Sequence, residues 1–174
     1  AHLASRRDIE IAISREDRLL DTGGGVRNVL GLLGEEPFVV ANTDVLWLDG
    51  PSSTLGRLAA AWCDETMDAL LLMHEMVRAG QFTGRGDFML DPAGVVRRRI
   101  ENEVAPFLFS GVQILHPRLF EGAPEGAFSL NRLFDRAQEA ERLYGIVHDG
   151  LWLHAGTPEG LAEANTFVAQ GPRR

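Results

Sequence analysis

Thr22-Gly23-Gly24-Gly25-Val26-Arg27-Asn28-Val29-Leu30-Gly31-Leu32-Leu33-Gly34 is followed directly by Glu35-Glu36-Pro37-Phe38-Val39-Val40-Ala41-Asn42-Thr43-Asp44. The first part spaces Val26, Val29, Leu30 and Leu33 along one helical face, and Gly34 closes it. The second is a continuous apolar run from Pro37 to Asn42 that ends in polar residues. That pattern predicts a strand covered on both faces of a sheet, with Thr43 and Asp44 at its carboxyl end. A helix leading into a buried strand is the unit of an α/β sheet.

The rest of the chain repeats the alternation. Upstream, Asp8 to Ser14 alternates apolar and polar residues, which predicts a short strand with Ile9, Ile11 and Ile13 on one face. Downstream, helices are expected over Thr54 to Cys63, Leu130 to Arg142 and Thr157 to Ala169, the last with Thr157 as N-cap and Pro158 at its first position. Strands are expected at Ala69 to His74, Phe107 to Leu115, Tyr144 to His148 and Leu151 to His154. A hairpin over Phe82 to Leu90 and Val95 to Ile100 turns at Asp91-Pro92-Ala93-Gly94. The expectation is a three-layer α/β/α fold in one domain over residues 1–174, with a mixed, mostly parallel sheet. Ligands of such sheets bind beyond the carboxyl ends of strands, which singles out Asp44 and the loop after Asp21.

The 174 residues carry a net charge of −8 and a 45% apolar content, enough for one packed core. The acidic balance argues against a broad basic face for nucleic acid or an anionic membrane. No run of eighteen apolar residues is present, so no membrane span is expected. All 17 basic residues are Arg. Cys63 is the single cysteine, which excludes an internal disulfide or a cysteine zinc cluster and fits a cytoplasmic setting.

Five segments carry candidate chemistry. Asp21 to Gly25 leaves backbone N–H groups bare for a base or a phosphate, or is a flexible turn before a helix. Asn42-Thr43-Asp44 holds a cation with its carboxylate, or caps a turn. Gly84-Arg85-Gly86-Asp87-Phe88 reads as a glycine turn with exposed charge. Phe109-Ser110-Gly111-Val112-Gln113 interrupts an apolar strand with two small residues, as a bulge or as room for a ligand. In Trp152-Leu153-His154-Ala155-Gly156-Thr157-Pro158-Glu159, His154 is a metal ligand, a base or a satisfied core imidazole.

Taken in order, these segments resemble the signature of bacterial sugar-1-phosphate nucleotidyltransferases, of the N-acetylmuramate-1-phosphate uridylyltransferase-like and mannose-1-phosphate guanylyltransferase-like branch. The resemblance spans essentially the whole chain and implies a Rossmann-like nucleotidyltransferase fold lacking its first strands. It implies that Thr22, Gly23 and Gly24 lie against the nucleobase, with Asn42 orienting the loop. Asp44 would act as the catalytic carboxylate that holds Mg²⁺, with Mn²⁺ as the alternative metal. Gly86, Asp87, Ser110 and Gly111 would line the sugar pocket. His154 stands where many relatives carry a second Asp and would complete the metal site.

The implied reaction joins a nucleoside monophosphate from a nucleoside triphosphate to a sugar 1-phosphate, releasing pyrophosphate. The implied pair is UTP and N-acetylmuramate 1-phosphate in peptidoglycan recycling. The alternatives are a mannose-1-phosphate guanylyltransferase activity and a non-catalytic nucleotide-sugar-binding module. Two family features, a Gly-x-Gly-x-Arg-Met loop and a Pro-Lys-Pro segment, are not among these 174 residues, so the chain by itself is expected to be inactive. It is also expected to expose Val39, Val40 and Ile11, or to cover them by self-association.

Overall fold

The computed structural model describes residue 3 and residues 6–80 and 84–171. Phe82 and Thr83, at the start of the expected hairpin, lie outside the described residues. The elements run α1 (Asp21–Leu33), β1 (Phe38–Ala41), β2 (Val45–Leu48), α2 (Thr54–Ala61), β3 (Ala69–Glu75), β4 (Phe88–Leu90) and β5 (Val96–Arg98). They continue with β6 (Phe107–Leu115), α3 (Asn131–Glu139), β7 (Leu143–Val147), β8 (Leu151–His154) and α4 (Pro158–Gln170).

β3 organises the molecule. Ala69 to Met73 are buried throughout, and their side chains alternate between two layers. Ala69, Leu71 and Met73 face one cluster with Phe134 and Leu133 of α3, against which Val26 and Leu30 of α1 also pack. Leu70 and Leu72 face the other with Leu58 of α2, Val112 and Ile114. Each fully buried Leu stabilises the fold by about 1.5–3 kcal/mol, so this strand holds helices on both faces of the sheet. Asp68, at the entry to β3, accepts from Arg118 Nε at 2.7 Å and Arg142 Nε at 2.8 Å, which ties the end of β6 and the start of β7 to it.

The six-stranded sheet is ordered β5-β4-β6-β3-β7, with β1 also paired to β6, and β2 and β8 form a separate ribbon. The α/β/α layering is as expected, but the pairing sense is not. β3 and β7 run parallel, while the other paired strands of the described residues run antiparallel. Strand direction depends on which strands meet, and periodicity carries no such information.

Three further expectations are corrected. Asp8 to Ser14 forms no strand, and Ile9 and Ile13 are 59% and 63% exposed. Its alternation meets no neighbouring strand among the described residues. β1 is not covered on both faces, since alternate residues are exposed along it, and among the described residues it lies at an edge paired with β6. Val39 is accordingly half exposed, whereas Val40 packs against the main core and Ile11 is partly buried. The triglycine is no bend, because Gly23, Gly24 and Gly25 lie inside the first turns of α1.

His74 of β3 is 2% exposed, with ring centroids 5.4 Å from Trp152 and 6.0 Å from His148. Neither ring nitrogen has a hydrogen-bond partner among the described residues. Burial lowers its pKa; the nearby Arg78 backbone, too poorly placed for a full hydrogen bond, and Glu75 oppose, while His148 and the Arg78 charge act with the burial. The unfolded chain therefore takes up a proton near roughly pH 6.5 while the folded His74 does not, so stability falls as the pH drops below that value. Melting temperatures from pH 7.5 to 5 should show this fall, and His74→Leu should flatten it. An unchanged slope would remove His74 as its source.

Candidate active site

Asp44 sits in the turn between β1 and β2, and the β2–β8 ribbon brings the end of the chain back to it. Val45 pairs with His154, and the Ala155 N–H donates to the Asp44 carbonyl at 2.7 Å. Asp44 Oδ2 thereby comes to 3.8 Å from His154 Nε2, with the two side chains 51% and 33% exposed. The His154 ring stacks on Trp152, whose Nε1–H donates to the Ser110 carbonyl at 2.8 Å. Behind His154, Gly160 in the first turn of α4 lies so close that a Cβ there would sit 2.0 Å from the His154 carbonyl oxygen.

Gly156 keeps the space between the two side chains open. A Cβ at that position would lie 2.7 Å from His154 Nε2 and 3.2 Å from Asp44 Oδ2. Gly156 was not among the residues singled out in the sequence. Its signal was present in the His-Ala-Gly run, but the contact that gives it meaning crosses more than a hundred residues.

Asp44 opens onto a cleft of about 880 Å³ that Thr22, Gly25, Asn42 and Leu130 also line. Asn42 is fixed by its backbone N–H, which donates to the Gly111 carbonyl at 2.8 Å. The Thr22 hydroxyl accepts the Leu130 N–H at 3.0 Å, joining the start of α1 to the start of α3 at this wall. Both helices thus begin beside the cleft, but their first N–H groups are already paired: Thr22 N–H with the Asp21 carboxylate, Gly23 and Gly24 with the Phe128 carbonyl, Leu130 with the Thr22 hydroxyl and Asn131 with the Ser129 hydroxyl.

Gly23 and Gly24 do not join that wall. Their N–H groups donate to the Phe128 carbonyl at 2.8 Å and 3.1 Å and are not bare. A Cβ on Gly24 would lie 2.3 Å from the Gly126 carbonyl oxygen, and one on Gly23 would lie 2.4 Å from the Phe128 ring. The close approach that only glycine allows here is made by the segment 126–128.

A second cleft of about 410 Å³ is lined by Asp87, Arg98, Arg99, Phe109 and Asn131 among others, and adjoins the first where Leu130 gives way to Asn131. Asp87 is exposed and its carboxylate accepts the Phe109 N–H at 2.9 Å. Gly86 is buried, and its carbonyl faces Arg99. Ser110 is 0% exposed, with its hydroxyl accepting the Val112 N–H at 3.3 Å, so it reaches neither cleft. Two small residues in this strand were read as a bulge or as room for a ligand; the β3–β6 register is irregular here, and a Cβ on Gly111 would meet Asn42 and Val45 at 3.2 Å.

No group of three or more His, Cys, Asp or Glu side chains that could hold a metal ion occurs among the described residues. Asp44 and His154 are two donors at a separation that one cation spans after small side-chain adjustments, and both are solvent-accessible. Such a pair suits a cation that completes its shell with phosphate oxygens and water.

No protein-family model matches this sequence. The N-acetylmuramate alpha-1-phosphate uridylyltransferase of Caulobacter vibrioides is 35% identical over 98% of this chain and 72% of its own length. The chain belongs to the sugar-1-phosphate nucleotidyltransferase family. A second member, the N-acetylmuramate alpha-1-phosphate uridylyltransferase of Neisseria meningitidis serogroup B, is 35% identical over 86% of this chain and 62% of its own length. The solved UDP-glucose pyrophosphorylase complexed with UDP-glucose superimposes with a TM-score of 0.70 at 17% identity, covering 91% of this chain and 66% of that one. The mixed sheet between helices is therefore the nucleotidyltransferase fold. No helix among the described residues is long and apolar enough to cross a membrane.

Proposed function

We propose that this nucleotidyltransferase makes a UDP-sugar from UTP and N-acetylmuramate 1-phosphate, within peptidoglycan recycling in the cytoplasm. An oxygen of the sugar 1-phosphate attacks the α-phosphorus of UTP in line. The new O–P bond forms as the bond to the β-phosphate oxygen breaks, and pyrophosphate leaves. The observation that carries the reading is the facing pair of Asp44 and His154 across Gly156, at the mouth of a cleft shared with Thr22 and Asn42. The family members named above supply the choice of nucleotide and sugar.

Asp44 and His154 would hold a divalent cation together with substrate phosphates and water. When bound, that cation neutralises charge on the transferring phosphoryl group. Thr22 and Asn42 line the nucleotide side of the cleft. Gly23 and Gly24 act one step back, by letting the segment 126–128 close against α1. Asp87 and the backbone around Gly86 and Gly111 border the sugar side.

Imidazole is a softer ligand than carboxylate, so the site should accept Mn²⁺ readily, and His154→Asp should raise Mg²⁺-supported turnover. Mg²⁺ dependence that the substitution leaves unmoved would remove His154 as a ligand. The reading as a whole is tested by pyrophosphate release from the full gene product, with UTP, GTP, CTP and dTTP against a panel of sugar 1-phosphates. Turnover confined to UTP with N-acetylmuramate 1-phosphate is expected. Preference for GTP with mannose 1-phosphate, or binding of nucleotide sugars without turnover, would overturn it.

A further inference from the structure

The second cleft contains an arginine whose charge nothing in the described structure neutralises. Arg98 and Arg99 both line it. Arg98 is paired with Asp135, Nη1 to Oδ1, at 3.3 Å. Arg99 has no carboxylate within ion-pair distance among the described residues, and its partners are all backbone carbonyls. Its Nε–H donates to Gly86 O at 2.8 Å, and its Nη1 donates to Ile100 O at 3.3 Å and Glu101 O at 3.4 Å. Its own N–H donates to the Asp87 carbonyl at 2.9 Å. Carbonyls orient a guanidinium without cancelling its charge, and Nη2 makes no hydrogen bond among the described residues. A half-buried guanidinium fixed in this way is pre-organised for an anion.

The acidic groups nearby do not fill the role. Asp87 lines the same cleft, but its carboxylate is turned to the Phe109 N–H through one oxygen and is beyond ion-pair distance of Arg99. Glu101 lines the same cleft but is exposed and beyond ion-pair distance, where water screens its repulsion of an incoming anion. The phosphate end of the substrate belongs elsewhere, beside Asp44. The two places are linked through β6. Phe109 lines the Arg99 cleft, and Gly111, two residues on, about 7 Å at strand rise, holds Asn42 of the Asp44 cleft. A ligand the length of a sugar bridges that interval.

The geometry points to Arg99 as the reader of a carboxylate carried by the sugar, so that the second cleft selects an acidic sugar 1-phosphate over its neutral counterpart. This rests on the proposed transfer to a sugar 1-phosphate and adds the residue that chooses among such sugars. N-acetylmuramate has that carboxylate on a lactyl ether, and N-acetylglucosamine is the same sugar without it.

The test compares the full gene product with its Arg99→Gln and Arg99→Lys variants, measuring kcat and KM for N-acetylmuramate 1-phosphate and N-acetylglucosamine 1-phosphate with UTP. In Arg99→Gln, KM for the acidic sugar should rise about 10- to 100-fold, the loss expected for a charge-assisted hydrogen bond, while KM for the neutral sugar stays within about twofold. Arg99→Lys, which keeps the charge and loses the planar fork, should fall between. The ratio of the two sugars is the readout, because a loosened Gly86 loop would penalise both alike. Equal losses for both sugars would overturn the assignment while leaving the transferase reading intact. Absence of turnover by the unsubstituted protein with any sugar 1-phosphate would overturn the transferase reading, and this assignment with it.

Discussion

Asp44→Asn in the full gene product should reduce the rate of pyrophosphate release on the order of 10³-fold, because a cation at a transferring phosphoryl group supplies several kcal/mol of transition-state stabilisation. The substitution keeps the shape of the side chain and removes its charge. Asp44 is half exposed and its structural bond is made by its backbone carbonyl, which accepts the Ala155 N–H. The melting temperature should therefore move little. The two readouts separate chemistry from folding, and a variant that kept its rate would mean that the cation is held by other groups.

The second large effect concerns stability. Gly24→Ala should destabilise the protein by about 1–3 kcal/mol, the usual range for an overpacked contact, because its Cβ would meet the Gly126 carbonyl oxygen and neither backbone can yield without the other. For a chain of this length that is a fall of roughly 2–12 °C in melting temperature. Gly31, in the same helix, has nothing within 4 Å of a Cβ position. Gly31→Ala should instead stabilise by about 0.5–1 kcal/mol through helix propensity alone. If the two substitutions behaved alike, the contact between α1 and the segment 126–128 would not be what glycine serves at position 24.

That pair of residues also marks how far the sequence could be read. Periodicity located α1, but Gly23 and Gly24 looked like a loop, since glycine is a poor helix former and the segment that requires it lies a hundred residues downstream. β3 and β6 were legible because fully buried strands are apolar on both faces. The turn at Asp91 was legible because its carboxylate accepts the Ala93 and Val95 N–H groups at 2.9 Å and 2.8 Å, a local pattern. β2 was missed, although Val45-Leu46-Trp47-Leu48 is apolar and follows a turn. Four residues are too few for a period, and the partner that defines the strand is β8.

The candidate site divides in the same way. Asp44 and His154 were both singled out, one as a strand-end carboxylate and the other as the residue in a family metal position, and the β2–β8 register brings them within 3.8 Å. Ser110 and Gly111 were read either as a bulge or as room for a ligand, and the β3–β6 register is irregular at this segment, with Ser110 buried and its carbonyl bonded by Trp152. Arg99 carried no signal among 17 arginines, since what sets it apart is its place on the second cleft together with the lack of an acidic partner among the described residues, and both are visible only in three dimensions.

The facing of Asp44 and His154 beside the Thr22 cleft is most directly tested by Mn²⁺ binding to the full gene product, followed by electron paramagnetic resonance with and without UTP. Mn²⁺ should bind weakly alone and much more tightly with UTP, and Asp44→Asn should abolish the tight phase. Tight Mn²⁺ binding that persists in Asp44→Asn would contradict the account.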